Sequence, residues 1–80
     1  MFAITIYDGN GNHHDFEDLK FDTVQAAKIS ATKIIKSGKI NYHGKCVAVG
    51  IETENGEIVC EGRSAWGYPQ KGRMVWENRD

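Results

Sequence analysis

The sequence feature that most constrains the fold is the dipeptide Asn55-Gly56, which separates two runs of alternating apolar and polar residues. Asn and Gly both accept positive φ at low cost, so this pair favours the type I′ turn that joins two antiparallel strands. We therefore predict that residues 45–54 and 57–63 form a β-hairpin with a two-residue loop.

The length of this loop determines which residues of the two strands face each other. The expected pairs are Glu54–Glu57, Thr53–Ile58, Ile51–Cys60 and Val49–Gly62. One face of the hairpin is then apolar and carries Val47, Val49, Ile51, Ile58 and Cys60. The other face is mainly acidic and carries Glu52, Glu54, Glu57, Val59 and Glu61. The register also separates Cys46 and Cys60, so we expect two reduced thiols rather than a disulfide.

The segment that precedes this hairpin has the period of an amphipathic helix. Asp22 is the predicted N-cap, and Gly38 is expected to end the helix in the left-handed conformation. At 100° per residue, one side is apolar and carries Val24, Ala27, Ala31, Ile34 and Ile35. The opposite side carries Gln25, Ile29, Thr32, Lys33 and Lys36, with Lys28 at its margin.

Three further segments complete the expected fold. Residues 2–7 read as a strand whose Phe2, Ile4 and Ile6 face inwards, residues 13–17 as a short returning strand, and residues 73–77 as a final strand. In that final strand, Met74 and Trp76 share one side. We predict a single α+β domain over residues 1–80: an antiparallel sheet of four to five strands with a single helix packed on one face.

The composition disfavours several classes of function. No stretch approaches the length of a membrane span, so we expect a cytoplasmic protein without membrane contact. His13 and His14 are strand neighbours that point to opposite faces, and His43 has no cysteine nearby, so we expect no metal site. Neither a phosphate-binding loop nor a nucleophile with a recognisable base is present, so we expect no cofactor and no enzymatic activity.

Charge is segregated along the chain, although the net charge is only −1. Residues 20–49 contain six lysines and one aspartate, whereas residues 50–62 contain four glutamates and no basic residue. The predicted helix surface presents Lys28, Lys33 and Lys36 around Ile29, and this basic ridge is extended by Lys39 and Lys45. The ridge is either a solvated helix face or a contact for phosphates or an acidic protein.

The acidic hairpin face and the aromatic segment are the other candidate surfaces. The glutamates either provide solubility or form a carboxylate array that imitates the phosphate spacing of nucleic acid. Aromatic and basic residues, which are enriched in protein interfaces, recur near the end of the chain as Trp66, Tyr68, Lys71, Arg73 and Trp76. We expect Trp76 to be part of the core, and Trp66 and Tyr68 to be available to a partner.

Several motifs resemble those of the small phage anti-CRISPR proteins that target the type I-F surveillance complex. They are Gln25-Ala26, Lys28-Ile29, His43-Gly44, Ile51-Glu52-Thr53, Asn55-Gly56, Gly72-Arg73 and Trp76. The resemblance covers residues 23–78. The amino-terminal half also resembles a bacterial domain of unknown function, in which a strand, an acidic turn and an alanine-rich helix precede a hairpin.

The first resemblance implies a non-enzymatic inhibitor, located in the host cytoplasm, that binds the Cas7-type backbone subunits of a CRISPR effector. Such a protein would block hybridisation of target DNA with the guide and would meet nucleic acid only indirectly. The positions that carry over are Lys28, Ile29, Lys45 and Arg73. The second resemblance implies the same architecture, and the main alternative function is a bacterial α+β protein-interaction or regulatory module of unknown partner. A small nucleic-acid-binding protein that uses the lysine ridge is a third alternative.

Overall fold

The computed structural model describes residues 1–7, 12–16, 18–37, 46–65 and 74–79, which form one helix and five strands. The elements, in chain order, are β1 (Phe2–Tyr7), β2 (His13–Asp15), α1 (Val24–Lys36), β3 (Cys46–Thr53), β4 (Ile58–Ala65) and β5 (Val75–Asn78). The strands form one antiparallel sheet in the order β2-β1-β3-β4-β5, and α1 packs on one face of it. The predicted α+β architecture is confirmed.

The hydrophobic core lies between α1 and the sheet. Its buried apolar side chains are Ile4, Ile6, Ala27, Ala31, Ile35, Val47, Val49, Ile51 and Cys60. They share one face because side chains alternate along strands and recur every three to four residues along a helix. The predicted inward faces of β1 and α1 are confirmed, with Phe2, Val24 and Ile34 half-buried and packed against this core.

The helix begins one residue later than the sequence predicts. Thr23, not Asp22, is the N-cap: its backbone is extended, and its hydroxyl accepts a hydrogen bond from the Ala26 amide at 3.1 Å. Either residue type can cap a helix, so the choice depends on where the chain leaves the extended conformation. Ser37 forms the C-cap. Gly38, the predicted helix terminator, lies outside the described residues.

The β3–β4 hairpin has a three-residue loop instead of the predicted two-residue loop. The Thr53 amide donates to the Glu57 carbonyl at 2.8 Å, so these two residues face each other. The Thr53 hydroxyl accepts from the amides of Asn55 and Glu57 at 3.3 Å each, which stabilises the wider loop. Gly56, with φ of 84°, supplies the left-handed residue that such a loop needs. The predicted Glu54–Glu57 and Thr53–Ile58 pairs are therefore wrong.

A β-bulge restores the predicted register after the loop. Glu52 pairs with Ile58, whereas Ile51 pairs with Cys60, so β4 contains one extra residue, Val59. Beyond the bulge, the expected Ile51–Cys60 and Val49–Gly62 pairs are confirmed.

The bulge also exchanges the faces of two apolar residues. Ile58, predicted to lie in the core, is 38% exposed, and its side chain lies over Gly50 on the outer face, which is the sheet face opposite α1. Val59, predicted to lie among the glutamates of the outer face, packs against the core instead. Because side chains alternate with period two, one inserted residue is enough to reverse the assignment.

The two ends of the sheet agree with the expected strands. β2 pairs with β1 as the predicted returning strand, although it is only three residues long and Glu17 lies outside the described residues. β5 pairs with β4, and Met74 and Trp76 both pack against the core, as expected. Among the described residues, β2 and β5 are therefore the edge strands of the sheet.

Candidate protein-docking groove

An open groove of about 640 Å³ runs along one flank of α1 and has Trp76 of β5 at its other side. The described residues that line it are Gln25, Lys28, Ile29, Thr32, Lys33, Lys36, Ser37 and Trp76. Four of the predicted partner-binding residues, Lys28, Ile29, Lys33 and Lys36, thus contribute to one surface. We call this surface the lysine groove.

Trp76 reaches the groove because the residue beneath it has no side chain. Gly62 of β4 is the register partner of Trp76, and a Cβ at Gly62 would lie only 2.6 Å from Trp76 Cε3. Two neighbouring atoms of the same ring would lie within 2.9 Å of that Cβ. The six-membered ring of the indole therefore lies directly on the Gly62 backbone, an approach that only glycine permits.

Lys28 covers the indole from the helix side. Its ammonium nitrogen lies over the ring, 5.6 Å from the centroid, which is within the range of a cation–π interaction. The Trp76 ring thus contacts the Gly62 backbone and has the Lys28 ammonium over it. Both contacts reduce the ring surface that is open to a ligand in the groove.

The remaining lysines frame an exposed apolar residue. Ile29 is 48% exposed, and Lys33 and Lys36 lie in the last turn of α1. Positive charges at this end of a helix interact favourably with the helix dipole, which gives both lysines a structural role as well. Among the described residues that line the groove, none is acidic. The groove thus combines positive charge with an exposed apolar surface.

On the outer face, two carboxylates converge on one hydroxyl. The buried Thr5 hydroxyl lies 2.8 Å from Asp15 Oδ1 and 2.8 Å from Glu52 Oε1. Its hydrogen bond, more than the nearby histidines, holds the pKa of Asp15 below its usual value. A lowered carboxyl pKa stabilises the fold at neutral pH, and this contribution is lost as the pH falls through the folded-state pKa.

Other outer-face carboxylates are paired with basic groups. The amino group of Met1 lies 2.8 Å from Glu54 Oε1 and lowers the pKa of that carboxyl by hydrogen bonding and by its charge. Arg79 contacts Glu61 at 2.7 Å. The predicted acidic face is therefore partly neutralised within the protein, which weakens its resemblance to a regular array of phosphates.

His13 lies on the surface, and Cys60 lies in the hydrophobic core. His13 Nδ1 lies 3.3 Å from Asp15 Oδ2, and Cys60 is a buried free thiol. No group of three or more His, Cys, Asp or Glu side chains among the described residues is arranged to hold a metal ion. Likewise, the one helix in that part of the chain is too short to cross a membrane.

Comparison with known protein families, with curated proteins and with solved structures finds no match to this chain. The resemblance to anti-CRISPR proteins therefore stays a prediction from the sequence motifs, and the lysine groove has to be interpreted from its own chemistry.

Five of the predicted partner-binding residues, Lys45, Trp66, Tyr68, Lys71 and Arg73, lie outside the described residues. The sequence pattern places Trp76 in the core and does not reveal its contribution to the groove. The signal that could have revealed it is Gly62, since a glycine within a strand marks the close approach of another group. The predicted pairing of Gly62 with Val49 is confirmed. The sequence does not show, however, which side chain of the other neighbouring strand lies above Gly62.

Proposed function

We propose that this protein is a non-enzymatic binding protein that docks onto an acidic protein surface through the lysine groove. The observation that carries the proposal is the combination of Lys28, Lys33 and Lys36 with the exposed Ile29 and the fixed indole of Trp76. Positive charges at an interface accelerate association and select an acidic partner, while a buried aromatic or aliphatic anchor provides most of the affinity.

The groove fits a protein ligand better than a nucleic acid. Proteins that bind single strands without sequence preference stack bases on the faces of aromatic side chains. The Trp76 ring already has the Gly62 backbone against it and the Lys28 ammonium over it, which leaves less of its surface for a stacked base. The protein also has a net charge of −1, so it lacks the overall positive charge that makes binding to phosphates strong.

For the identity of the partner, we propose a type I CRISPR surveillance complex, whose Cas7-type backbone subunits this protein would bind so that target DNA cannot hybridise. The support is the sequence resemblance over residues 23–78, in which Lys28 and Ile29 are shared positions. The channel that holds the guide–target duplex is positively charged, so the lysine groove would contact acidic protein surface outside it. The outer face, with Glu52 and Glu61, would be the side directed at the channel.

The alternative is an α+β interaction or regulatory module with a different acidic partner. The same groove would serve such a partner, because its chemistry does not depend on CRISPR subunits. The two proposals differ in whether a purified type I effector co-elutes with the protein at physiological salt and loses its binding to target DNA. Co-elution without loss of DNA binding would support docking but contradict inhibition.

The experiment that tests the groove is charge removal with a matched control. The double variant Lys33→Gln/Lys36→Gln should weaken partner binding about tenfold, which corresponds to about 1.4 kcal/mol. Its melting temperature should stay nearly unchanged, since exposed charges contribute little to folding. The control Lys20→Gln/Arg63→Gln removes the same charge from exposed residues outside the groove and should bind like the unmodified protein.

Three outcomes would contradict this assignment. Equal affinity of both double variants would remove the lysine groove from the interface. A stronger loss for Glu54→Gln/Glu57→Gln than for the groove variant would assign the main contact to the acidic hairpin instead. The third outcome is that the protein alone binds a DNA duplex with an affinity that falls steeply as the salt concentration rises. This result would favour nucleic-acid binding.

A further inference from the structure

We propose that the partner of the lysine groove binds as an extended segment that adds an antiparallel strand to the edge of β5 that faces away from β4. This inference rests on the proposed docking function and specifies how the groove is occupied. The strand would extend the sheet beside α1, where the groove is open. Main-chain hydrogen bonds to β5 would fix the segment, and the groove would select its side chains.

The first argument is the hydrogen-bonding pattern of β5. Within the described residues, β5 pairs with β4 and lies at the edge of the sheet. The Arg79 amide donates to the Val59 carbonyl at 2.8 Å, and hydrogen-bonded pairs alternate along an antiparallel ladder. Glu77 and Val75 therefore also bond to β4, while the amides and carbonyls of Trp76 and Asn78 point away from it. These are the groups that an added strand would use.

The second argument is that the groove lies beside this edge. The side chain of Trp76 faces α1, and directly opposed residues of paired strands share a face. Residues of the added strand that bond to Trp76 and Asn78 would therefore project towards the lysine groove. Their neighbours would project to the outer face, beside Glu77 and the 62% exposed Val75. The edge thus has an exposed apolar residue on one face and the groove on the other.

Charge and spacing define the sequence of the segment. Lys28 and Lys36 are eight residues apart, which is about 12 Å along a helix. Two strand residues four positions apart are separated by about 13 Å. A segment that runs along α1 can therefore place one carboxylate near each lysine and an apolar side chain between them, against Ile29 and Trp76. Acidic residues at the intervening positions would meet Glu77, so those positions should be neutral.

A second copy of this chain fits the edge poorly. Two-fold pairing of β5 with β5 would place both helices on the same side of a continuous sheet, with their lysine flanks facing each other across the joint. In the register that opposes Trp76 to Asn78, Glu77 would also lie opposite Glu77. Like charges in these positions are destabilising, so the charge distribution favours an acidic segment of another protein.

The probe for the test is a heptapeptide with blocked termini and the sequence Thr-Glu-Thr-Leu-Thr-Glu-Thr. Isothermal titration calorimetry at low salt should detect binding that weakens as salt is added, because the lysine contacts are exposed. Methylation of the glutamate and leucine amides removes the hydrogen bonds to β5 and should lower the affinity at least tenfold. Methylation of the threonine amides, which would point away from β5, is the matched control and should change it less than twofold.

The protein variant Asn78→Pro provides the second arm. Proline removes the outward-pointing amide but no bond to β4, so the variant should fold, whereas Glu77→Pro removes a ladder bond and should unfold the edge. Asn78→Pro should lower the affinity for the unmethylated peptide about tenfold. If the variant does not fold, the two methylated peptides still decide the question.

Several results would overturn the strand-addition proposal: no binding of the unmethylated peptide at low salt, equal binding of both methylated peptides, or a dimer in sedimentation that Asn78→Pro disrupts. Failure of the docking function itself is distinguishable. If Lys33→Gln/Lys36→Gln weakens binding of the effector but Asn78→Pro does not, the groove is the interface and the strand mode is wrong. If neither changes effector binding, the proposed function fails.

Discussion

The helix covers the two halves of the sheet differently. Over β1 and β3, α1 is closely packed, and Ala27, Ala31 and Ile35 are completely buried against the strands. Over β4 and β5, the lysine groove remains open, and the sheet is covered by Trp76 with Lys28 above it. One helix thus seals one half of the sheet and leaves a binding surface on the other.

The difference teaches how a small domain separates stability from recognition. Alanines allow the helix backbone to approach β1 and β3, where branched aliphatic side chains fill the remaining space. The opposite flank carries long side chains, whose charged ends remain in water while their stems cover apolar surface. Burial therefore stabilises the fold on one side, and exposed charge and apolar surface are available to a partner on the other.

The strongest test of this comparison is truncation of one isoleucine on each flank of α1. Ile35→Ala should lower the free energy of unfolding by about 2–5 kcal/mol, because it leaves a cavity in the sealed half. Ile29→Ala should change it by about 0.5 kcal/mol or less, because that side chain is half exposed. Urea denaturation measures both. Similar losses for the two variants would contradict the division into a sealed and an open half.

The next effect concerns the glycine under Trp76. Gly62→Ala should destabilise the protein by about 1–3 kcal/mol, because the new methyl group displaces a rigid ring. Gly50→Ala is the matched control, since its Cβ would meet Ile58 Cδ1 at an ordinary 3.6 Å. Thermal unfolding and tryptophan fluorescence report stability and ring position. If Gly62→Ala is as well tolerated as Gly50→Ala, Trp76 does not rest on β4.

The smallest expected effect is the contribution of the Lys28 charge. Lys28→Met keeps much of the apolar stem and removes the cation–π contact, so the free energy of unfolding should fall by about 0.5–1 kcal/mol. Lys33→Met is the control, because no ring contact of Lys33 occurs among the described residues. Chemical denaturation of both variants and of the unmodified protein, analysed with shared baselines, can resolve this difference in the free energy of unfolding. An equal change in both variants would show that the ammonium of Lys28 does not hold the indole in place.

Much of the architecture follows from local patterns. The apolar period of residues 24–35 gave the correct helix face, and alternation gave the inward residues Ile4 and Ile6. Gly56 has a positive φ and forms part of the hairpin turn at the position that the sequence predicts. These features depend on residues close to each other in the chain, so a sequence pattern contains them.

The sequence predictions are wrong at positions where two local conformations are both compatible with the residues. Asp22 and Thr23 can each cap a helix, and Asn55-Gly56 is compatible with a loop of two or three residues. The Thr53 hydroxyl favours the wider loop, and the bulge at Val59 then returns the strands to the register that buries Ile51 and Cys60. The wider loop alone would shift the register by one residue, so the bulge is what keeps Ile51 and Cys60 in the core, at the cost of exposing Ile58.

The sequence by itself determined the α+β class, the helix phase and the collection of Lys28, Ile29, Lys33 and Lys36 on one helix surface, because each depends on a fixed backbone period. Only the tertiary structure decided that Trp76 lies on Gly62 beneath Lys28 and that β5, among the described residues, is an edge strand next to these lysines. Those relations join segments far apart in the chain. They arise from the order of strands in the sheet and from the space that one glycine leaves, neither of which a periodic pattern encodes.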